Sequence, residues 1–209
     1  MLRFRKVALA VFVCVFVVSF FCVTDSSFLA ILLSFEEWNL VLSIFYFSIQ
    51  TLKFYDKRRT YKLNRLLHTL LTNTMTSTIV FWVISFPSHL SQQKAVSFDW
   101  YLIKTLYFNT LTCITPLSLL FIDFFRNKVI LGKKSVLSLT LFLSLYFLTC
   151  FIFNQFYAQN VLSVIPYNKP YAYLLLLSFF TLSYINWLII LLIFKKKEEQ
   201  RTKNIIIFN

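Results

Sequence analysis

Hydrolytic chemistry needs a nucleophile within reach of a base, and this chain offers two histidines for the second role. His68 stands at the start of an apolar run, and His89 follows Ser88 in a loop. The order of elements set out below puts Asp99, Glu36 and Glu37 on the same side as His89, so a Ser/His/carboxylate group is available there in composition. No spacing selects it. The four cysteines, Cys14, Cys22, Cys113 and Cys150, all fall within apolar runs, with no CxxC and no Cys/His cluster. Buried thiols are expected rather than a metal site or a disulfide framework. No cofactor is expected.

Polar side chains inside apolar runs are the second source of chemistry. Thr69, Asn73, Thr76 and Ser77 are spaced i, i+4, i+7, i+8 and share one helix face. Thr105, Asn109, Thr112, Cys113 and Pro116 do the same within residues 102–126. In hydrocarbon such groups are costly and turn towards the bundle or a wet cavity. Thr69, Asn73, Thr76, Thr105, Asn109 and Thr112 are therefore candidates to line a cavity for a lipid or small ligand. The plainer expectation is interhelical hydrogen bonding at about 0.6 kcal/mol per contact, with hydroxyls also turned onto their own backbone. Pro116 should kink its helix near Thr112 and free a carbonyl there. Asp123 and Arg126, at i, i+3, should pair at the helix end.

The elements that carry these residues follow from composition. The chain of 209 residues is 58% hydrophobic, 20% aromatic and 14% charged, with mean hydropathy +0.71. Soluble domains carry about 25% charged residues and place apolar positions in stripes. Here the apolar residues form unbroken runs, at about 7–23, 38–55, 66–86, 102–125, 135–156 and 171–194. Runs near 20 residues suit a hydrocarbon core of about 30 Å. The expected fold is all-α: a polytopic membrane protein of six transmembrane helices, one domain over 1–209, with both termini cytosolic and a basic tail at 195–209. The first run is read as an uncleaved helix rather than a signal peptide. Residues 28–37 are too short to cross.

Charge supports that topology. The net charge is +13, which in a soluble protein would raise nucleic acid as a partner. With six alternating helices, 18 of the 21 basic residues collect on the side of the termini, and Lys94, Lys104 and Lys169 lie on the other. That is a positive-inside distribution, and no nucleic-acid partner is expected. The bilayer itself is the expected partner.

The chain resembles the androgen-induced and androgen-dependent-regulator membrane proteins and their fungal relatives. WNLVLSIFYFSIQTL (38–52) is similar to that family's aromatic second helix, FWVISF (81–86) to the end of its third, PLSLLFID (116–123) to its fourth, and IPYNKPY (165–171) to the stretch before its last. The resemblance implies a six-helix protein of the endoplasmic reticulum or another endomembrane. In animals it also implies hydrolysis of fatty-acid esters of hydroxy fatty acids by an intramembrane Thr and a His. Where that His is expected, this chain reads Leu111, Thr112, Cys113; where the Thr is expected, it reads Ser34, Phe35, Glu36, Glu37. The expectation is a divergent member that has lost the pair, is not an enzyme, and still holds a lipid. The alternatives are an active lipid ester hydrolase using Ser34 with Glu36 or Thr112, a small transporter or channel, and a structural protein without a ligand.

Overall fold

The computed structural model describes residues 1–22, 34–52, 57–85, 107, 110–126, 135–157 and 171–207. Among them there is no strand, and six helices carry the fold: α1 (Leu2–Cys22), α2 (Phe35–Thr51), α3 (Lys57–Val80), α4 (Thr115–Arg126), α5 (Ser135–Tyr157) and α6 (Tyr171–Ile207). A π-helical turn, Phe81–Ser85, extends α3, and another, Thr110–Ile114, leads into α4. The all-α class is as expected. Among the described residues, two helices are long and apolar enough to cross a membrane, in Ser135–Ile152 and Leu176–Glu199, with a third or less of each run buried.

Helix ends depart from the apolar runs, because backbone bonds and caps set them rather than hydropathy. Ser34 caps α2, its hydroxyl accepting from the Glu37 N–H at 3.4 Å. Glu36 and Glu37 therefore form the first turn of α2, where the helix dipole favours anions. They do not end a separate short segment. The basic stretch from Lys57 belongs to α3, and α6 runs on to Ile207 through Lys, Glu and Gln, all good helix formers.

The least apolar of the helices sits in the middle. α3 packs against α2, α4, α5 and α6, while α1 lies on α2 and reaches α4. One apolar core joins Phe12 of α1, Phe47 of α2, Leu67 and Leu71 of α3, Phe124 of α4 and Ile190 of α6. A second joins Phe35 to Leu139, Leu143, Tyr146 and Phe147 of α5. α3 tolerates burial because its hydroxyls turn onto carbonyls one turn back. Thr72 donates to His68 O at 2.9 Å, Thr74 to Leu70 O at 2.8 Å and Thr76 to Thr72 O at 2.9 Å.

Buried polar contacts fix helix direction. Asp123 near the end of α4 takes Arg5 Nε at 3.0 Å from the start of α1 and Tyr46 Oη at 2.7 Å from the latter half of α2. Lys197 near the end of α6 donates to Phe124 O. The start of α1 and the ends of α2, α4 and α6 thus share one end of the bundle, and successive helices alternate in direction. The expected Asp123–Arg126 pair does not form. Asp123 is fully buried and faces inward to Arg5, whereas Arg126 is exposed and stands over the Phe4 ring at 5.3 Å.

Candidate functional site

The half of the bundle away from Arg5 and Lys197 holds the polar residues that the sequence singled out. Ser34 Oγ donates to Glu36 Oε2 at 2.9 Å. α2, which begins at the Ser34 cap and carries Glu36 in its first turn, packs against the π turn that holds Thr112 and Cys113. Thr112 Oγ1 and Cys113 Sγ are 4.0 Å apart. Thr105, Asn109, Ser88, His89 and Asp99 lie outside the described residues.

The residues just before Pro116 are π-helical rather than α-helical over Thr110–Ile114. Pro116 has no N–H to give to the helix behind it, and a single π turn is a common irregularity at such a break in the bonding. That turn places both Thr112 and Cys113 in the interior. Thr78 of α3 bridges to it, its hydroxyl 3.5 Å from the Cys113 carbonyl.

The cavity-lining candidates of α3 separate into two kinds. Thr69 donates to Arg65 O at 3.1 Å, within its own helix. Thr76 accepts from Asn186 Nδ2 of α6 at 3.0 Å, so it joins two helices. Both follow the plainer expectation. Asn73 is different: it is fully buried (0% exposed) and neither of its amide atoms has a partner among the described residues.

Asn73 has company. Asn39 of α2, 2% exposed, also has both amide atoms unpartnered, and Ser19 Oγ of α1 and Glu37 Oε2 are buried in the same condition. Their levels can be placed from the shared Asp123 contacts. At about 1.5 Å per residue, Cys113 lies about 15 Å beyond Asp123 along α4. The Thr78–Cys113 contact registers α3 on α4, so Asn73 lies about 7 Å beyond that same level. Asn39 lies about 10 Å beyond Tyr46 on α2, so the two amides fall within about 3 Å of one level on adjacent antiparallel helices. Glu37, at about 14 Å, and Ser19, at about 21 Å past Arg5, lie at separate levels further out.

An unmet buried polar group costs about 1–3 kcal/mol. Two buried amides at one level, Asn39 and Asn73, mark a place where further hydrogen-bonding atoms belong, from water or a ligand. Helical spacing singled out Asn73 but neither Ser19, a lone hydroxyl in the run 7–23, nor Asn39, near the start of the run 38–55.

His68, expected at the cytosolic start of the third span, meets a serine after all. Its Nε2 faces the Trp187 carbonyl at 3.3 Å, and its Nδ1 lies 2.7 Å from Ser135 Oγ. The carbonyl can only accept, so Nε2 carries the proton and the Ser135 hydroxyl donates to Nδ1. Trp187 Nε1 donates to the same hydroxyl at 3.0 Å, and its indole stacks on the imidazole with centroids 5.7 Å apart. The distance is that of a nucleophile and its base. Both groups are buried, however, and the Ser135 hydroxyl both gives and receives a hydrogen bond. This cluster joins α3, α5 and α6.

Comparison of the chain with family models, curated proteins and solved structures finds no match.

Proposed function

We propose that the chain is a six-span endomembrane protein, a divergent relative of the androgen-induced proteins, which holds a lipid in the polar layer of α1–α4 without hydrolysing it. One observation carries this reading. The two places where the resemblance puts a Thr and a His, the start of α2 and the turn before Pro116, lie on elements that pack against one another. Two distant stretches converge as such a site requires, while the side chains that would do the chemistry differ. The surface agrees with a bilayer setting: Val41, Phe45, Leu141, Leu148, Leu177 and Leu192 are large, apolar and exposed, a pattern costly in water and natural in lipid.

A second reading is favoured by the 2.9 Å Ser34–Glu36 hydrogen bond, which could activate Ser34 as a nucleophile towards a lipid ester. Against it, Ser34 Oγ is also engaged as the cap of α2. A fluorophosphonate probe applied to membranes carrying the full chain separates the two. The first reading expects no labelling that Ser34→Ala removes; labelling lost in that variant establishes the second.

A further inference from the structure

We infer that the lipid group seated beside Asn39 and Asn73 is uncharged and both donates and accepts hydrogen bonds, as a diacylglycerol hydroxyl or a ceramide amide does. This rests on the lipid-holding reading above and adds the chemistry of the head. Each Asn side chain presents a carbonyl oxygen that accepts and an NH₂ that donates. The Ser and Thr hydroxyls of α3 are satisfied one turn back in their own helix, but neither amide atom of Asn39 or Asn73 has a partner among the described residues.

The unmet set discriminates among ligands. A cation would satisfy the two Oδ1 atoms and leave the N–H donors bare. An anion would do the reverse, and it would face Glu36 and Glu37. Among the described residues, every Lys and Arg belongs to the start of α1 or α3, the end of α4, or the last part of α6. These described cations lie towards the opposite end of the bundle. A neutral group with both an N–H or O–H and an oxygen satisfies both kinds of atom. The Glu37 and Ser19 groups further out extend the same mixture of donors and acceptors.

The test uses the full chain in phosphatidylcholine nanodiscs with four photoactivatable, clickable lipids: diacylglycerol, ceramide, a free fatty acid and a cationic single-chain amine. Diacylglycerol or ceramide should label the protein about tenfold more than either charged probe, with cross-links mapping to α2 or α3. The Asn39→Leu/Asn73→Leu double variant should lower that labelling about tenfold, the effect of losing about one hydrogen-bond pair. Whichever neutral probe dominates identifies the head as hydroxyl or amide. A fatty-acid or amine probe that labels as strongly as the neutral ones overturns the inference and leaves the lipid-holding reading standing. Absence of labelling by any probe overturns both. If the double variant fails to fold, the wild-type ranking of the four probes still decides.

Discussion

Asp123 shows how a single buried carboxylate organises one end of the molecule. It holds Arg5 at 3.0 Å and Tyr46 at 2.7 Å, while Gln50 donates to the Tyr46 oxygen at 3.4 Å. Removing one partner of a buried ion pair typically costs about 3–5 kcal/mol. Asp123→Ala should therefore lower stability by about that amount, measured by denaturant unfolding in detergent micelles. Arg126→Ala should change it little, because that guanidinium is exposed and, among the described residues, stands over the Phe4 ring; equal losses from the two variants would refute this assignment. The sequence pointed to Arg126 because i, i+3 neighbours are visible in it. The true partner is 118 residues away, and only the packing of α1 beside α4 brings it near. The same limit hid Ser135 from His68. Their separation of 67 residues carries no local pattern.

At the level of the element, α3 separates polar residues that are satisfied alone from those that are not. Thr72 bonds only its own helix, whereas Thr76 also receives Asn186 of α6. Thr72→Val should accordingly cost little, and Thr76→Val should cost about 1–3 kcal/mol by stranding the Asn186 amide. Thermal unfolding of the two variants in the same detergent checks the order. The existence of a polar face on α3 was legible from i, i+4, i+7 spacing, since that period is fixed by helix geometry. Which of its members would find a partner was not legible, because a hydroxyl can reach its own backbone and an amide depends on what packs opposite. The helix limits were missed for a similar reason: hydropathy marks apolar length, while Ser34 and the backbone bonds of Lys57–Val80 set where helices begin and end.

The whole molecule inverts the distribution of a soluble bundle. Its most polar helix is enclosed, and large apolar side chains such as Leu145, Leu174 and Leu188 face out. The all-α class was readable from composition and unbroken apolar runs, and the alternation of direction among the described helices agrees with the clustering of basic residues. The six-span proposal has a direct test. In a background without native cysteines, Lys94→Cys and Lys133→Cys should react with a membrane-impermeant thiol reagent from opposite faces of sealed vesicles. Reaction of both from the same face would exclude it. The central position of α3 was not readable, since nothing in a sequence of six runs tells which becomes the hub.

The π turn at Thr110–Ile114 has a consequence for the history of the chain. A π turn carries one residue more than the α turn it replaces, so it shifts the register of everything on one side of it by a single position. A relative with an ordinary helix here should show a one-residue gap in alignment at 110–114, with α4 and its Asp123 contacts unchanged beyond it. Deleting one residue from the turn recreates that ancestor-like register. The deletion should leave the Asp123 end of the bundle intact while rotating Thr112 or Cys113 out of the interior, which thiol accessibility at Cys113 would report.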